Sequence, residues 1–501
     1  MASAEAWLRM PDRNGENPVY WPIASLTEAY RQGRLSPVEV AEDVLERIDR
    51  LNPSLHAYLV RLDELTRRQA REAEAAYRAG RALPLSGVPV SIKDTYPLAG
   101  AVTTFGSVVH RHNRTRQDSG VVRRLRTSGA VFTGKTNTAE FGQSATSDNR
   151  LGPEAGNPWD TTRTPGGSSG GAAVSVAAGL ASVALASDGG GSIRIPASFT
   201  GLFGFKPTWG LCPDEGGLPA MSDFVCPGPL ARCASDARAF LGALLGQGLS
   251  RASVGRRLRI AWCPRPEGRP VDPGLAATVS AAVASLAALG HEVVETALPL
   301  KGWNEAFGPL VLAEEHRQRG DLLRRCPDML SDYVSRSLAA ARTLTDKDIA
   351  AARAAHRRYR ARIATLFETW DAIATPTTAV TAFPFGKRPN RIAGREVDWL
   401  WGAFPFAVPF NVSGNPAVSL PCGLAGGLPA GLQLVMPLNE DERLLDLAED
   451  VEEAVAFDCR PMGEAVLQPA GEPASRAVRA GEVASGAGSP GPQSSRTGGI
   501  R

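Results

Sequence analysis

Helical stretches that stop at a glycine or turn and give way to short apolar strands recur along this chain, and that order restricts the fold more than any other feature. Glu64 to Ala79 is helical in pattern and is stopped by Gly80. LSGVPVSIKDT then switches to short β-branched alternation, which places Lys93 at a strand end. The same order returns at Ser119 to Ser128 followed by AVFTG, at Leu275 to Leu289 followed by Gly290 and HEVVET, and at Asp346 to Thr369 followed by DAIAT. Alternation of this kind predicts an α/β sheet covered by helices. Upstream, Ser36-Pro37-Val38-Glu39 is a capping box with proline at the first helical position, and Val40, Val44 and Ile48 continue one apolar face. No internal sequence repeat is present.

With 501 residues and 43% hydrophobic content, the chain can bury a large core, as one big α/β domain or two smaller ones. Lys plus Arg number 55 against 52 Asp plus Glu, and a net charge of +3 lacks the electrostatic footprint of a nucleic-acid binder. The seven cysteines are odd in number and in no paired spacing, which suggests neither a disulfide framework nor a zinc site. A reducing cytoplasm fits them, and MASAEAWLRMPDRNGENPVYW lacks the apolar run of a signal peptide. Gly170 to Ser187 runs eighteen residues without a charge and so imitates a membrane span. Only Val174, Val176, Leu180, Val183 and Leu185 carry bulk there, and Gly179 offers a helix C-terminal cap, so a short buried helix followed by a buried strand is predicted. From Glu464 the text is rich in Ala, Gly, Ser and Pro and cannot offset its ordering entropy, which predicts a disordered tail.

Three glycine-rich stretches carry candidate chemistry. GAVFTGKT, Gly129 to Thr136, fits a phosphate-binding loop letter for letter, but its variable positions are Ala-Val-Phe-Thr and read as a strand. Gly129 would end the preceding helix and Gly134 begin a turn. PGGSSGG, Pro165 to Gly171, contains the nucleophile-elbow pattern around Ser168, yet it follows a turn-rich loop where an elbow needs an apolar strand. No histidine is well placed to serve it: His291, His316 and His356 read as surface or interhelical side chains, and His110 and His112 as solvent-exposed. The third stretch, SVALASDGGGSIRIPASFTG, sets a strand before three glycines and a helix-compatible run after Ser192. Successive glycines let backbone N–H groups converge on a developing oxyanion, and a helix N-terminus would add positive potential. The same letters also describe a plain flexible turn.

The ordered set GVPVSIKD (Gly87 to Asp94), GAVFTGKTNTAEFG (Gly129 to Gly142), NPWDTTRTPGGSSGGAAVSVAAG (Asn157 to Gly179) and SDGGGSIRIPA (Ser187 to Ala197) resembles the amidase signature family. GFKPTWG, ATPT and FNVSGNPAVSLPCG fall where that family has similar text, and the likeness covers Ser25 to Glu453. It implies the amidase signature fold, a large mixed β-sheet covered by helices on both faces, over 21–463, with residues 1–20 as an extension and 464–501 as the tail. In that family the GKTN stretch is structural. The resemblance implies hydrolysis of a carboxylic amide C–N bond through an acyl-enzyme, with Ser192 as nucleophile, Ser168 bridging through a cis peptide after Gly167, and Lys93 as base. It also implies an oxyanion hole of the Gly189, Gly190, Gly191 and Ser192 amides, with Ser169 in support. Asp188 and Arg194 are expected as a buried pair holding the glycine turn. A lysine is a base only when neutral, and at its reference pKa about 0.04% is neutral at pH 7. Burial at the strand end would raise that fraction.

Glutamine-dependent tRNA amidotransferase A-subunits share this fold but typically carry Gln in the position of Ile195 and Thr in that of Gly189, so the chain looks more like a stand-alone bacterial amidase. The alternatives are a catalytically inactive binding module and the amidotransferase A-subunit. No metal site and no cofactor are expected; the partner is a small-molecule amide, with no nucleic acid or membrane, and a homodimer is a candidate. The acyl pocket is expected from Cys212 to Cys226, Trp303 to Asp332 and Phe383 to Phe410. Within the last of these, Trp399, Trp401, Phe404, Phe406 and Phe410 crowd a chain that is 6% aromatic, which predicts a pocket for an apolar or aryl group rather than a charged one.

Overall fold

The computed structural model describes residues 17–252 and 257–461, so the expected tail and the first sixteen residues lie outside the described residues. Thirteen strands occur among the described residues: β1 (Tyr58–Arg61), β2 (Pro89–Lys93), β3 (Val131–Thr136), β4 (Val183–Asp188), β5 (Phe203–Lys206), β6 (Cys226–Ala231), β7 (Arg259–Trp262), β8 (Glu292–Glu295), β9 (Ala372–Pro376), the small pair β10 (Arg391–Ile392) and β11 (Arg395–Glu396), β12 (Ala417–Ala425) and β13 (Leu428–Val435). Eleven of them form one mixed sheet in the order β1-β3-β2-β4-β6-β5-β12-β13-β9-β7-β8. The parallel pairings are β2 with β3 and β4, and β7 with β8 and β9. Helices Gly120–Thr127 and Pro273–Ala288 cross over between β2 and β3 and between β7 and β8, as parallel pairs require. Antiparallel β6, β5, β12 and β13 join these two parallel patches.

Strand alternation sends apolar side chains to both faces. Val183, Leu185, Ile260, Leu432 and Leu434 enter one core with Val121, Phe240, Leu275 and Leu444 of the covering helices. Ala261, Ile373 and Val435 enter another with Trp303, Phe307 and Tyr359. Helices therefore cover both faces, as expected. The capping box forms as read: Ser36 Oγ accepts from Val38 N at 3.0 Å, and the Glu39 carboxylate accepts from Ser36 N at 2.9 Å. Gly170 to Ser187 contains a buried helix, Gly170–Ala177, with Gly179 at φ +66° just beyond it, and then most of buried β4. No helix among the described residues is long and apolar enough to cross a membrane.

One local expectation fails. Gly134 lies inside β3 rather than at a turn, and the β2/β3 register slips by one residue beside it. A Cβ at Gly134 would stand 2.5 Å from the Tyr58 ring and 2.7 Å from the Val60 carbonyl oxygen, so glycine serves the close approach of β1.

Candidate active site

Lys93 ends β2 and is wholly buried on the face that also carries Ser91, whose hydroxyl meets that of Ser175 on helix Gly170–Ala177 at 2.8 Å. Its Nζ donates to Ser168 Oγ at 2.7 Å and to Ser187 Oγ at 2.9 Å. Burial lowers the Lys93 pKa to about 7, against a smaller upward pull from the Asp188 carboxylate. Ser168 follows the cis Gly167–Ser168 bond, and the next residue, Ser169, precedes helix Gly170–Ala177 and donates to the Ser187 carbonyl at 3.2 Å. Sequence reading missed Ser187, although it stands inside the SDGGGS stretch.

The glycine turn between β4 and helix Arg194–Thr200 is built around Asp188. Its carboxylate accepts from Gly191 N at 2.7 Å, from Ile193 N at 3.2 Å and from Arg194 Nε at 2.9 Å. Arg194, fully buried, donates further to the Ala407 carbonyl, Gln433 Oε1 and Asn411 Oδ1. Burial alone would push the Asp188 pKa up, but the Arg194 charge and the hydrogen bonds hold it well below the usual carboxylate range. The expected structural pair is thus in place, and Asn411 and Gln433 are its unforeseen supports. Two expectations change here. The Gly191 N–H is taken by Asp188, which leaves Gly189, Gly190 and Ser192 as the candidate oxyanion donors. Asp188 also accepts the first amides of the following helix, so the positive end of that helix is directed at a carboxylate. Gly191 has φ +112°, and a Cβ on it would lie 2.7 Å from Ile195 Cδ1 and 2.8 Å from Ala407 Cβ.

Ser192 sits where two cavities meet. The larger, of about 380 Å³, is bounded by Ser168, Tyr96, Phe141, Cys212 and Val225, and the smaller, of about 190 Å³, by Phe307, Val311, Trp401 and Arg388. Gly142, Ser192 and Met221 line both. Each of the three expected segments contributes, and so does Gly142 to Ala145, which was not anticipated. The aromatic run 399–410 behaves differently from expectation: Phe404, Phe406 and Phe410 are buried in the core, Trp399 is 57% exposed, and Trp401 alone of the five lines the cavity. Trp401 packs edge-on to Trp303 and Phe307 at centroid distances of 5.4 and 5.7 Å.

Lys135, the lysine of the phosphate-loop pattern, is fully buried in β3 and donates to Asp94 Oδ1 at 2.6 Å and Thr103 Oγ1 at 3.0 Å. It faces no cradle and is structural. Among the histidines, His316 is exposed, His356 bonds the Val412 carbonyl, and His291 Nδ1 accepts from Leu258 N. His112 is exposed, but His110 is half-buried against Phe105 and Phe141, contrary to expectation. Among the described residues no group of His, Cys, Asp or Glu is arranged to hold a metal.

The sequence matches the profile of the Amidase family over residues 39–445, and the chain belongs to that family, the amidase signature enzymes. The protein named "Putative amidase AmiB2" of Mycobacterium tuberculosis is 37% identical over 445 residues, spanning 84% of this chain and 93% of that protein. The glutamyl-tRNA(Gln) amidotransferase A-subunit of Salinispora arenicola is 34% identical over 482 residues, spanning 86% of this chain and 96% of that one. A solved structure of 6-aminohexanoate cyclic dimer hydrolase with its substrate superposes with a TM-score of 0.80 at 29% identity, covering 90% of this chain and all of that one. The protein is an amidase with the amidase signature fold.

Proposed function

We propose that the protein hydrolyses its amide through a Ser-cisSer-Lys triad and an acyl-enzyme, releasing ammonia or an amine. The observation that supports this most is a buried Lys93, with its pKa lowered to about 7, donating at 2.7 Å to a serine that shares a cavity with Ser192. Ser192 Oγ attacks the amide carbon while its proton passes to Ser168 Oγ, and the Ser168 proton passes to neutral Lys93 Nζ. The carbonyl electron pair moves onto oxygen, where the Gly189, Gly190 and Ser192 amides receive it. Collapse breaks the C–N bond, and the Lys93 ammonium returns a proton through Ser168 to the departing nitrogen. Water then cleaves the Ser192 ester by the same relay and releases the carboxylic acid.

Hydrolysis of aliphatic and aryl amides by the wild type, Ser192→Ala and Ser168→Ala tests the scheme. Turnover should vanish in Ser192→Ala, and full activity in that variant would overturn it. Similarity to the amidotransferase A-subunit favours a second reading, in which the chain releases ammonia from glutamine within a complex. Two contacts oppose it. A side chain at Gly189 would come within 2.8 Å of Met221 Sδ, and Ile195 packs among Phe199, Phe383 and Phe404, where a glutamine amide would be buried in an apolar cluster. Turnover of glutamine exceeding that of other amides would favour this second reading.

A further inference from the structure

We infer that the amide cleaved at this site carries a carboxylate beyond an apolar segment, and that Arg388 binds it; this rests on the proposed catalytic reading of Ser192. The smaller cavity has apolar walls in Phe307, Val311, Leu312 and Trp401, and one cationic side chain, Arg388, among its lining. The guanidinium carbon lies over two rings, 4.5 Å from the centroid of Trp399 and 5.2 Å from that of Phe404. Its hydrogen bonds all go to neutral acceptors and are long: Thr146 Oγ1 at 3.3 Å and the Trp399 and Leu400 carbonyls at 3.4 Å.

Three carboxylates stand in its surroundings, Asp148, Glu154 and Asp398, and each is engaged elsewhere. Asp148 accepts from Thr146 Oγ1 at 2.6 Å, Glu154 from Thr164 Oγ1 at 2.6 Å, and Asp398 pairs with Arg269 at 3.1 Å. Burial also pushes the Glu154 pKa up to about 7, which weakens it as a counter-charge. Among the described residues no carboxylate forms an ion pair with Arg388. An arginine fixed over aromatic rings, lacking a direct anionic partner and lining a cavity that opens onto a nucleophile, is suited to bidentate recognition of an incoming carboxylate. The position of Ser192 between two cavities allows that carboxylate to reside on either side of the scissile bond.

The test uses the full-length enzyme and matched substrates. One arm compares the monoamides of succinic, glutaric, adipic and pimelic acid with the unsubstituted aliphatic amides of the same length, which places the carboxylate on the acyl side. The other compares N-acetyl-ε-aminocaproate with N-acetyl-pentylamine, which places it on the amine side. In at least one arm the carboxylated member should have the higher kcat/KM, on the order of 100-fold. That ratio should collapse in Arg388→Gln and be partly restored in Arg388→Lys, with thermal melting confirming that each variant is folded. Absence of a preference in both arms, or a preference that survives Arg388→Gln, would overturn the inference. Calorimetric binding of adipamic acid and N-acetyl-ε-aminocaproate to Ser192→Ala, with and without Arg388→Gln, separates the two proposals. Arg388-dependent binding without wild-type turnover would refute the triad alone, and binding of both ligands indifferent to Arg388 would refute the carboxylate site alone.

Discussion

Replacing Lys93 with methionine removes one amine from a fully buried site and leaves a chain of similar length. With its pKa lowered to about 7, roughly half of Lys93 is neutral at pH 7, a gain in base form on the order of 10³ over an ordinary lysine. Loss of a positioned base removes about 10²- to 10⁴-fold of rate, so kcat/KM for an aryl amide should fall by that factor in Lys93→Met. The wild-type profile of kcat/KM should rise with pH to a plateau above about 7, and the variant should lack that limb. Stability should also rise with pH, over a higher window. Between about 7 and 10.5 the unfolded chain holds a proton on Lys93 that the folded chain has lost, so folding becomes more favourable as pH rises through that window. Below about 7 both states are charged and the penalty is complete, on the order of 5 kcal/mol. Methionine removes that penalty but also the hydrogen bonds to Ser168 and Ser187, a loss of about 1–3 kcal/mol. Urea denaturation near pH 6.5 should therefore show Lys93→Met more stable than the wild type, with the difference shrinking toward pH 10. A variant that keeps the acidic limb, or is destabilised equally at every pH, would refute the assignment of Lys93 as a neutral base.

Lys135→Met should instead destabilise the fold by about 3–5 kcal/mol, because it leaves the buried Asp94 carboxylate without its cation; unchanged urea stability would contradict this, as would calorimetric binding of ATP to the wild type. Gly191→Ala should lower kcat on the order of 10²-fold or more by displacing the turn that carries the candidate oxyanion amides, and wild-type turnover in a folded variant would show that the turn tolerates a side chain.

The sheet was legible where chemistry is local. Capping at Ser36, the stop at Gly80 and the strand ending at Lys93 each follow from a few adjacent residues, and each forms as read. The pairing of Asp188 with Arg194 was legible for a similar reason, since two charges flanking a glycine turn inside apolar text have few partners but each other. Gly134 was misread because the reason for it lies across the sheet: the Tyr58 ring of β1 occupies the space of a side chain. The aromatic run 399–410 was misread because proline and glycine break a helix without deciding which rings turn inward. Phe404 joins Phe199 and Phe383, while Trp401 joins Trp303 and Phe307, contacts set by segments far away in sequence. Arg388 gave no signal at all, since its significance depends on which carboxylates fail to reach it.

Reaction of the wild-type enzyme with a serine-directed fluorophosphonate, followed by intact mass and peptide mapping, tests the central claim most directly. A single adduct on Ser192, formed faster as pH rises through about 7 and slowed in Lys93→Met, is the predicted result. An adduct on Ser168 that persists in Ser192→Ala would contradict the account by moving the nucleophile to the other serine.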